Sequence, residues 1–442
     1  MKRRKISIVG FGKIGQALAA HILQSGIHVH AIDRDLALLQ SFSNGSFISS
    51  EPGVSEILVP AFGLQILTIS TDPLSASESS AIILSIPLSV NARRLPDSSA
   101  FVETIISLSA NLVQNTMLVI ETSVPVGFCR QVIATSLEAT GKVHGRDFYL
   151  AHSPERIKSG TMLRQLGSVP KIIGGLTKEA GEAAADLYGY FFSQANLALL
   201  PSIESAEMVK MAGMMYRDLN IALANQLAIY SDKLGIDLVA LTPLVNSDGE
   251  AGLLQPGIGV GGHCTPVYPY FMIDSFREAG LDFTLAAEAR KINEQMTDYA
   301  ASLVGEAKIN EQMTGYAASL VVGDWGTKVL ILGLAFRAGV REDAFSPTYN
   351  LHRLLKDRGY ETCLHDPEYN LAELREKGFE GTEDVYSTGA GIVFLVTMHE
   401  EYKKLDAKKL FAAGVRIFID GRNLVDRQEM EAAGIIYKGI GH

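Results

Sequence analysis

The sequence predicts an α/β fold in which two doubly wound parallel sheets are joined by a helical middle domain. Three observations predict it. Short apolar strands alternate with helical stretches at both ends of the 442-residue chain, long helices replace that alternation from about Pro201, and a glycine-rich turn separates the first strand from the first helix.

Residues 6–10 read as a strand, 12–26 as a helix and 28–32 as a second strand, which makes one strand–helix–strand unit. Further strand signals at 81–86, 117–121 and 148–151 extend a first domain over residues 1–200. The middle domain, 201–325, carries helical patterns at 205–235 and from 283 to about 304, with a glycine-rich loop from Pro256 to Cys264 between them. A second α/β pattern fills 326–442, with strands at 329–332, 360–364, 392–396 and 416–419 and a helix at 348–358. Its first turn, Gly333-Leu-Ala-Phe-Arg337, lacks the second and third glycines of a dinucleotide turn and is expected to face a different ligand.

The middle domain contains a duplication. The fourteen residues from Lys291 to Val304 recur from Lys308 to Val321, with Asp298 becoming Gly315. A 17-residue offset rotates the apolar stripe of a helix by roughly 100°, so one continuous helix cannot bury both copies on one face. A break near Gly305 is therefore predicted.

Composition narrows the function classes. The net charge of −10 argues against a nucleic-acid partner, whose phosphates need a basic face. No apolar run is long enough to span a bilayer, and Met1-Lys-Arg-Arg-Lys5 leads into a strand without a cleavage site, so no membrane partner and a cytoplasmic location are expected. Cys129, Cys264 and Cys363 are far apart in sequence and form no metal-ligand spacing, which fits a reducing compartment and leaves a free reactive thiol available.

The turn Gly10-Phe-Gly12-Lys-Ile-Gly15 follows a strand and opens a helix, and Asp33 ends the next strand. In a Rossmann-like unit the first glycine makes the tight turn, the second lets the backbone approach a pyrophosphate and the third lets the helix pack closely. Asp33 would accept hydrogen bonds from the adenosine ribose and repel a 2′-phosphate, which favours NAD over NADP, although Arg34 beside it tempers that preference.

Two polar clusters follow later strands, Glu121-Thr-Ser123 and His152-Ser153-Pro154-Glu155-Arg156, at the carboxyl ends where open α/β sheets bind ligands. Ser123 is suited to hold a water or a substrate hydroxyl, and Glu155 to act as a base or orient water. Lys210, Met214 and Arg217 sit at i, i+4 and i+7, within an arc of about 60° on one helix face, where a lysine can stabilise a developing oxyanion. The run Pro256-Gly-Ile-Gly-Val-Gly-Gly-His-Cys264 ends a glycine loop on a thiol, and backbone N–H groups around such a loop favour the thiolate. His263 is a candidate base, but side chains of adjacent loop residues usually diverge.

Taken together these motifs resemble the UDP-glucose/GDP-mannose dehydrogenase family over essentially the whole chain. The residues that carry the resemblance are the dinucleotide turn, Ser153-Pro-Glu-Arg156, Ala206-Glu-Met-Val-Lys210, Arg217 to Asn225, Gly259 to Cys264, and Gly333-Leu-Ala-Phe336 with Ser346-Pro347. Pro154-Glu-Arg156, Gly261 to Cys264 and the ending Asp420-Gly-Arg-Asn423 with Tyr437-Lys-Gly-Ile-Gly441 are similar to the branch acting on nucleotide-linked N-acetylhexosamines. The resemblance implies oxidation of the sugar C6 alcohol to a carboxylate with two NAD, through a thiohemiacetal and then a thioester on Cys264, in a homodimer. It further implies Lys210 as oxyanion stabiliser and Glu155 and Ser123 as managers of water. The cofactor would be held by Gly10, Phe11, Gly12, Lys13, Ile14, Gly15, Asp33, Arg34, Pro87 and Ser123. The nucleotide sugar would meet Glu155, Arg156, Ile157, Lys210, Met214, Arg217, Gly261, Phe336 and Arg337.

Several positions depart from the family pattern. Met214 stands where asparagine is usual, Tyr268 where aspartate is usual, Glu250 and Ala344 where arginines are usual, and Arg337 where lysine is usual. Losing a general base costs about 10²- to 10⁴-fold in rate and losing an oxyanion donor about 10²- to 10³-fold. A homologue that binds NAD and nucleotide sugar without turnover, and a one-step dehydrogenase, are the alternatives these replacements raise.

Overall fold

The computed structural model describes residues 5–76, 79–193, 196–314 and 327–442. The chain divides into two compact units, Met1–Met214 with Tyr270–Phe283, and Met215–Pro269 with Thr284–His442.

The first unit is built on an eight-stranded sheet: β1 (Lys5–Val9), β2 (His28–Ile32), β3 (Leu67–Ser70), β4 (Ala81–Leu84), β5 (Thr116–Ile120), β6 (Phe148–His152), β7 (Lys171–Gly175) and β8 (Leu197–Leu200). Their spatial order is β8-β7-β6-β5-β4-β1-β2-β3. The six strands from β6 to β3 run parallel, while β7 pairs antiparallel with β6 and carries β8 parallel to itself. The chain leaves β1 toward β2 on one side and later returns to β4 on the other, so the sheet reverses its winding there. The crevice at such a reversal is where open α/β sheets bind ligands.

The strands are continuous apolar runs because both faces of the sheet are covered. Ile6, Ile8, Ile82, Ile83, Leu84, Leu118, Val119 and Ile120 are all fully buried. The helix Lys13–Gln24 turns Ala17, Leu18, Ala19, Ala20 and Ile22 inward. Its small alanines let it lie close to the sheet.

The second unit has a five-stranded, all-parallel sheet: β9 (Lys328–Leu332), β10 (Glu361–His365), β11 (Ile392–Leu395), β12 (Ile417–Asp420) and β13 (Ile436–Gly439). The order is β10-β9-β11-β12-β13. The helix Pro347–Asp357 begins on Ser346, whose side chain accepts from Thr348 N, with proline in the first turn.

The predicted elements recur with ends moved by at most two residues, except that the helix expected to end at about Val304 runs on to Thr314. The sequence reading left out β3, β7, β8 and β13. Leu67–Ser70 and Leu197–Leu200 are four-residue strands whose residues are mostly only partly buried, so neither strict alternation nor a long apolar run marks them. Lys171–Gly175 conceals its character behind a buried lysine and two glycines.

The break expected near Gly305 is corrected: the helix Thr284–Thr314 runs through it without interruption. A lone glycine costs a helix only about 1 kcal/mol, and the good helix formers Glu306, Ala307 and Lys308 follow at once. The first copy is buried through Asn293, Met296, Thr297, Ala300, Ala301, Leu303 and Val304. Residues 315–321 of the second copy lie outside the described residues.

Candidate functional site

In the first unit the glycine turn fits a dinucleotide. Gly10 takes φ +92°, and a Cβ there would meet the backbone of Ser85 and Ile86 at 2.8 Å. A Cβ on Gly15 would lie 2.2 Å from the Gly10 carbonyl oxygen, so the third glycine is what lets the helix start so close beneath the strand. Gly12 is different. A Cβ there meets nothing within 4 Å, because the turn opens outward at this residue. That open backbone at a helix N-terminus is the cradle a pyrophosphate requires. Asp33 stands at its edge, where Oδ2 accepts from Phe11 N at 2.6 Å and Oδ1 from Asp35 N at 3.0 Å. The Asp33 carboxylate is thus tied to the glycine turn, while Arg34 and Pro87 are exposed.

The carboxyl ends of β5 and β6 carry two buried polar atoms that no protein group satisfies among the described residues, Ser123 Oγ and His152 Nε2. Such atoms are rare and point to a water or ligand not supplied by the chain. Burial pulls the His152 imidazole down to about 3, so it is neutral. Its Nδ1 lies 2.9 Å from the Ile120 carbonyl, which makes Nδ1 the protonated nitrogen and leaves Nε2 as an acceptor.

Lys210 and Glu155 are brought together. Lys210 Nζ donates to the Glu155 carbonyl at 2.6 Å and lies 3.5 Å from its carboxylate, with both side chains buried. The same carboxylate accepts from Ile157 N. Arg156 is exposed, Ile157 and Met214 half-buried, and Arg217 exposed one turn beyond Met214.

Beneath this loop lies a buried group that joins Glu121 to two residues without any motif of their own. Glu121 accepts from Lys171 Nζ and from Tyr188 Oη, each at 2.5 Å, and Lys171 also donates to the Ser153 carbonyl at 3.1 Å. Burial raises the Glu121 carboxyl, and Lys171 and Tyr188 oppose that shift. The three residues are 50 and 17 positions apart in the chain, and the order of β5, β6 and β7 together with the helix Lys178–Tyr188 makes them adjacent. Because Glu155 N donates to the Glu121 carbonyl at 3.1 Å, the cluster fixes the loop that carries Glu155.

In the second unit the glycine loop is held at both ends. Gly257 N donates to Asn225 Oδ1 at 2.8 Å, Asn225 Nδ2 donates to Asn293 Oδ1 at 2.9 Å, and Asn293 Nδ2 donates to Asp218 Oδ1 at 2.9 Å. Arg290 closes the chain, donating to Asp218 Oδ1 at 2.9 Å and to the Thr265 carbonyl, next to Cys264, at 3.2 Å. Burial pushes the Asp218 carboxyl up to about 6, opposed chiefly by Arg290. Asp218, Asn225, Arg290 and Asn293 have no role in the sequence reading. Asn293 in particular lies inside the duplicated stretch.

The loop's glycines allow close packing. Gly262 adopts φ +94°, and a Cβ there would touch the Phe336 ring at 3.0 Å, while one on Gly261 would be 2.7 Å from Phe336 Cβ. Gly261 and Phe336 are therefore neighbours, with Arg337 half-buried beside them. Gly262 N donates to the Ala344 carbonyl at 2.7 Å, and the imidazole of His263 pairs with Glu342 at 3.2 Å. Cys264 is half-buried, whereas Cys129 and Cys363 are buried. Burial raises the Cys129 thiol well above its ordinary value and the Cys363 thiol to about 11. Among the described residues no cluster of His, Cys, Asp and Glu could hold a metal ion, and no helix is long and apolar enough to cross a membrane.

Comparison with known proteins places these features. Residues 4–192 match the NAD binding domain of the UDP-glucose/GDP-mannose dehydrogenase family, 204–295 its central domain and 330–427 its UDP binding domain. The chain belongs to that family. This dehydrogenase uses NAD as its cofactor. It is 29% identical over 440 residues, 99% of both chains, to UDP-N-acetyl-D-mannosamine dehydrogenase of Pyrococcus horikoshii. It is 27% identical over 439 residues to NDP-N-acetyl-D-galactosaminuronic acid dehydrogenase of Ralstonia nicotianae, covering 97% of this chain and 98% of that one. The solved structure of the Pyrococcus horikoshii enzyme superposes with a TM-score of 0.87 at 27% identity, over 99% of each chain.

Proposed function

We propose that this family member oxidises the C6 primary alcohol of a UDP-N-acetylhexosamine to the uronate in two hydride removals, with Cys264 as the nucleophile. The observation that carries the reading is the contrast among the thiols. Cys264 alone is partly open, at the end of a glycine loop anchored at Gly257 and Thr265, while the other two are buried and resist ionisation. The relatives named for N-acetylmannosamine and N-acetylgalactosaminuronic acid substrates support the sugar class.

NAD held at Gly10–Gly15 and Asp33 supplies the hydride acceptor for both oxidations. Cys264 Sγ forms a bond to the carbon of the intermediate aldehyde, giving a thiohemiacetal, and after the second oxidation carries the sugar as a thioester. Lys210 donates to the oxygen that becomes negative as each tetrahedral centre forms. Ser123 and Glu155 hold the water whose addition breaks the C–S bond, releasing the carboxylate and restoring the thiol. Arg156, Ile157, Met214, Arg217, Gly261, Phe336 and Arg337 are assigned to the nucleotide sugar. In this reading residues 1–200 form the NAD domain, 201–325 the middle domain and 326–442 the nucleotide-sugar domain.

The homodimer is proposed on the helix Ile203–Leu234. Tyr216, Leu223, Leu227, Tyr230 and Leu234 follow one another at intervals of seven, four, three and four residues, and are between 37% and 64% exposed. That is the seam of a helix pair, and a second copy of the same helix supplies the matching stripe.

A panel of UDP- and GDP-sugars scored for NADH and carboxylate tests the reaction. Two NADH per sugar are expected from the wild type, and no steady-state carboxylate from Cys264→Ala although NAD still binds. One NADH per sugar would make the protein a one-step dehydrogenase, and bound sugar without NADH a silent homologue.

A further inference from the structure

Tyr268 opens the helix Tyr268–Glu278, and its N–H donates to the Cys264 carbonyl at 2.9 Å. Cys264 therefore lies one helical turn earlier, and helical side chains lean back toward the preceding turn. The phenol accordingly reaches the thiol: Tyr268 Oη lies 3.6 Å from Cys264 Sγ, within hydrogen-bond reach for sulfur. The ring is 8% exposed, so this geometry is fixed by packing.

We propose that Tyr268 is a second catalytic residue whose hydroxyl donates a hydrogen bond to the Cys264 thiolate and holds the sulfur in its nucleophilic form. The proposal rests on the reading of Cys264 as the nucleophile. As a thiol the sulfur is the donor to the phenol oxygen. Once ionised it has no proton to give, the phenol reverses and donates, and the bond becomes charge-assisted. A hydrogen bond to the charged form stabilises that form. Of the polar side chains flanking this stretch, the His263 imidazole lies against Glu342 and Arg290 pairs with Asp218. A carboxylate at position 268 would oppose ionisation of the thiol by like charge. The phenol assists it, so this chain's departure from its family acts on the sulfur itself.

The test measures the sulfur without requiring turnover. Iodoacetamide is applied at neutral pH, Cys264→Ser sets the background, and Cys129 and Cys363, 0% and 3% exposed, are protected in the folded protein. Tyr268→Phe removes one oxygen and is expected to slow alkylation about three- to tenfold, because a lower thiolate fraction is only partly offset by higher intrinsic nucleophilicity. Protein carrying 3-fluorotyrosine, a stronger donor, is expected to react faster than unlabelled protein. Equal or faster alkylation of Tyr268→Phe, with its thermal midpoint and NAD binding retained, overturns the proposal. So does unchanged reactivity of the fluorotyrosine protein. Failure of the wild type to form NADH from any sugar would instead overturn the reading of the reaction, whatever the alkylation rates.

Discussion

Lys210 Nζ donates a 2.6 Å hydrogen bond to the backbone carbonyl of Glu155 while standing 3.5 Å from the same residue's carboxylate. The ammonium thus holds both the loop's backbone and the charge of the residue proposed to handle water. Removing it takes away the proposed oxyanion donor and withdraws the cation beside the buried Glu155 carboxylate. Lys210→Met is expected to lower kcat by about 10²- to 10³-fold with NAD affinity unchanged. Steady-state NADH formation and calorimetric titration check it, and a kcat within threefold of wild type would remove Lys210 from the mechanism.

Gly12 and Gly15 belong to one motif but do different physical work. Gly12→Ala adds a methyl group to open space at an ordinary backbone angle, so the thermal midpoint should stay put while NAD affinity falls. Gly15→Ala drives a methyl group into the Gly10 carbonyl and should destabilise the fold by about 1–3 kcal/mol, typical of overpacking. Thermal unfolding with and without NAD separates the two. Equal behaviour of both variants would contradict the assigned roles.

Glu207 carries a pH signature. Burial pushes its carboxyl up to about 7, against hydrogen bonds from Gly127 N at 2.6 Å and Cys129 N at 2.9 Å. Between about pH 4.5 and 7 the folded chain keeps a proton that the unfolded chain has released, so stability falls as pH rises through that window and levels off above it. The span corresponds to roughly 3 kcal/mol. Glu207→Gln should flatten this part of the profile. Urea unfolding at pH 5 and pH 8 measures it, and parallel profiles for the two proteins would show that Glu207 titrates normally.

The exposed stripe on the helix Ile203–Leu234 gives a prediction about assembly. Leu227→Lys with Tyr230→Lys places like charges on both sides of the proposed seam and should turn a dimer into a monomer in light scattering, with secondary structure retained. A mass unchanged from wild type, or a monomeric wild type, would place the contact elsewhere or remove it.

Much of the site was legible in the chain order because its residues act through local geometry. The dinucleotide turn is readable since Gly10 and Gly15 each answer to a backbone constraint within one turn, Gly12 keeps the backbone between them open, and Asp33 follows at the end of the next strand. Cys264 is conspicuous because a glycine run ends on it. The supporting residues left no such trace. Lys171 looks like a surface lysine until β7 sets it beside Glu121, and Asn293 looks like one polar residue in a repeated helix until it bridges Asn225 and Asp218.

What the amino-acid order determined by itself was the periodicity of strands and helices and the glycine turns, since these follow from φ/ψ preferences and hydrophobic spacing over a few residues. Tertiary structure alone decided which polar groups share a buried neighbourhood: Glu121 with Lys171 and Tyr188, Asn225 with Asn293, and Glu207 with the backbone of Gly127 and Cys129. Burial makes an unpaired polar group costly, and the partner that relieves the cost is chosen by strand order and helix packing rather than by distance along the chain.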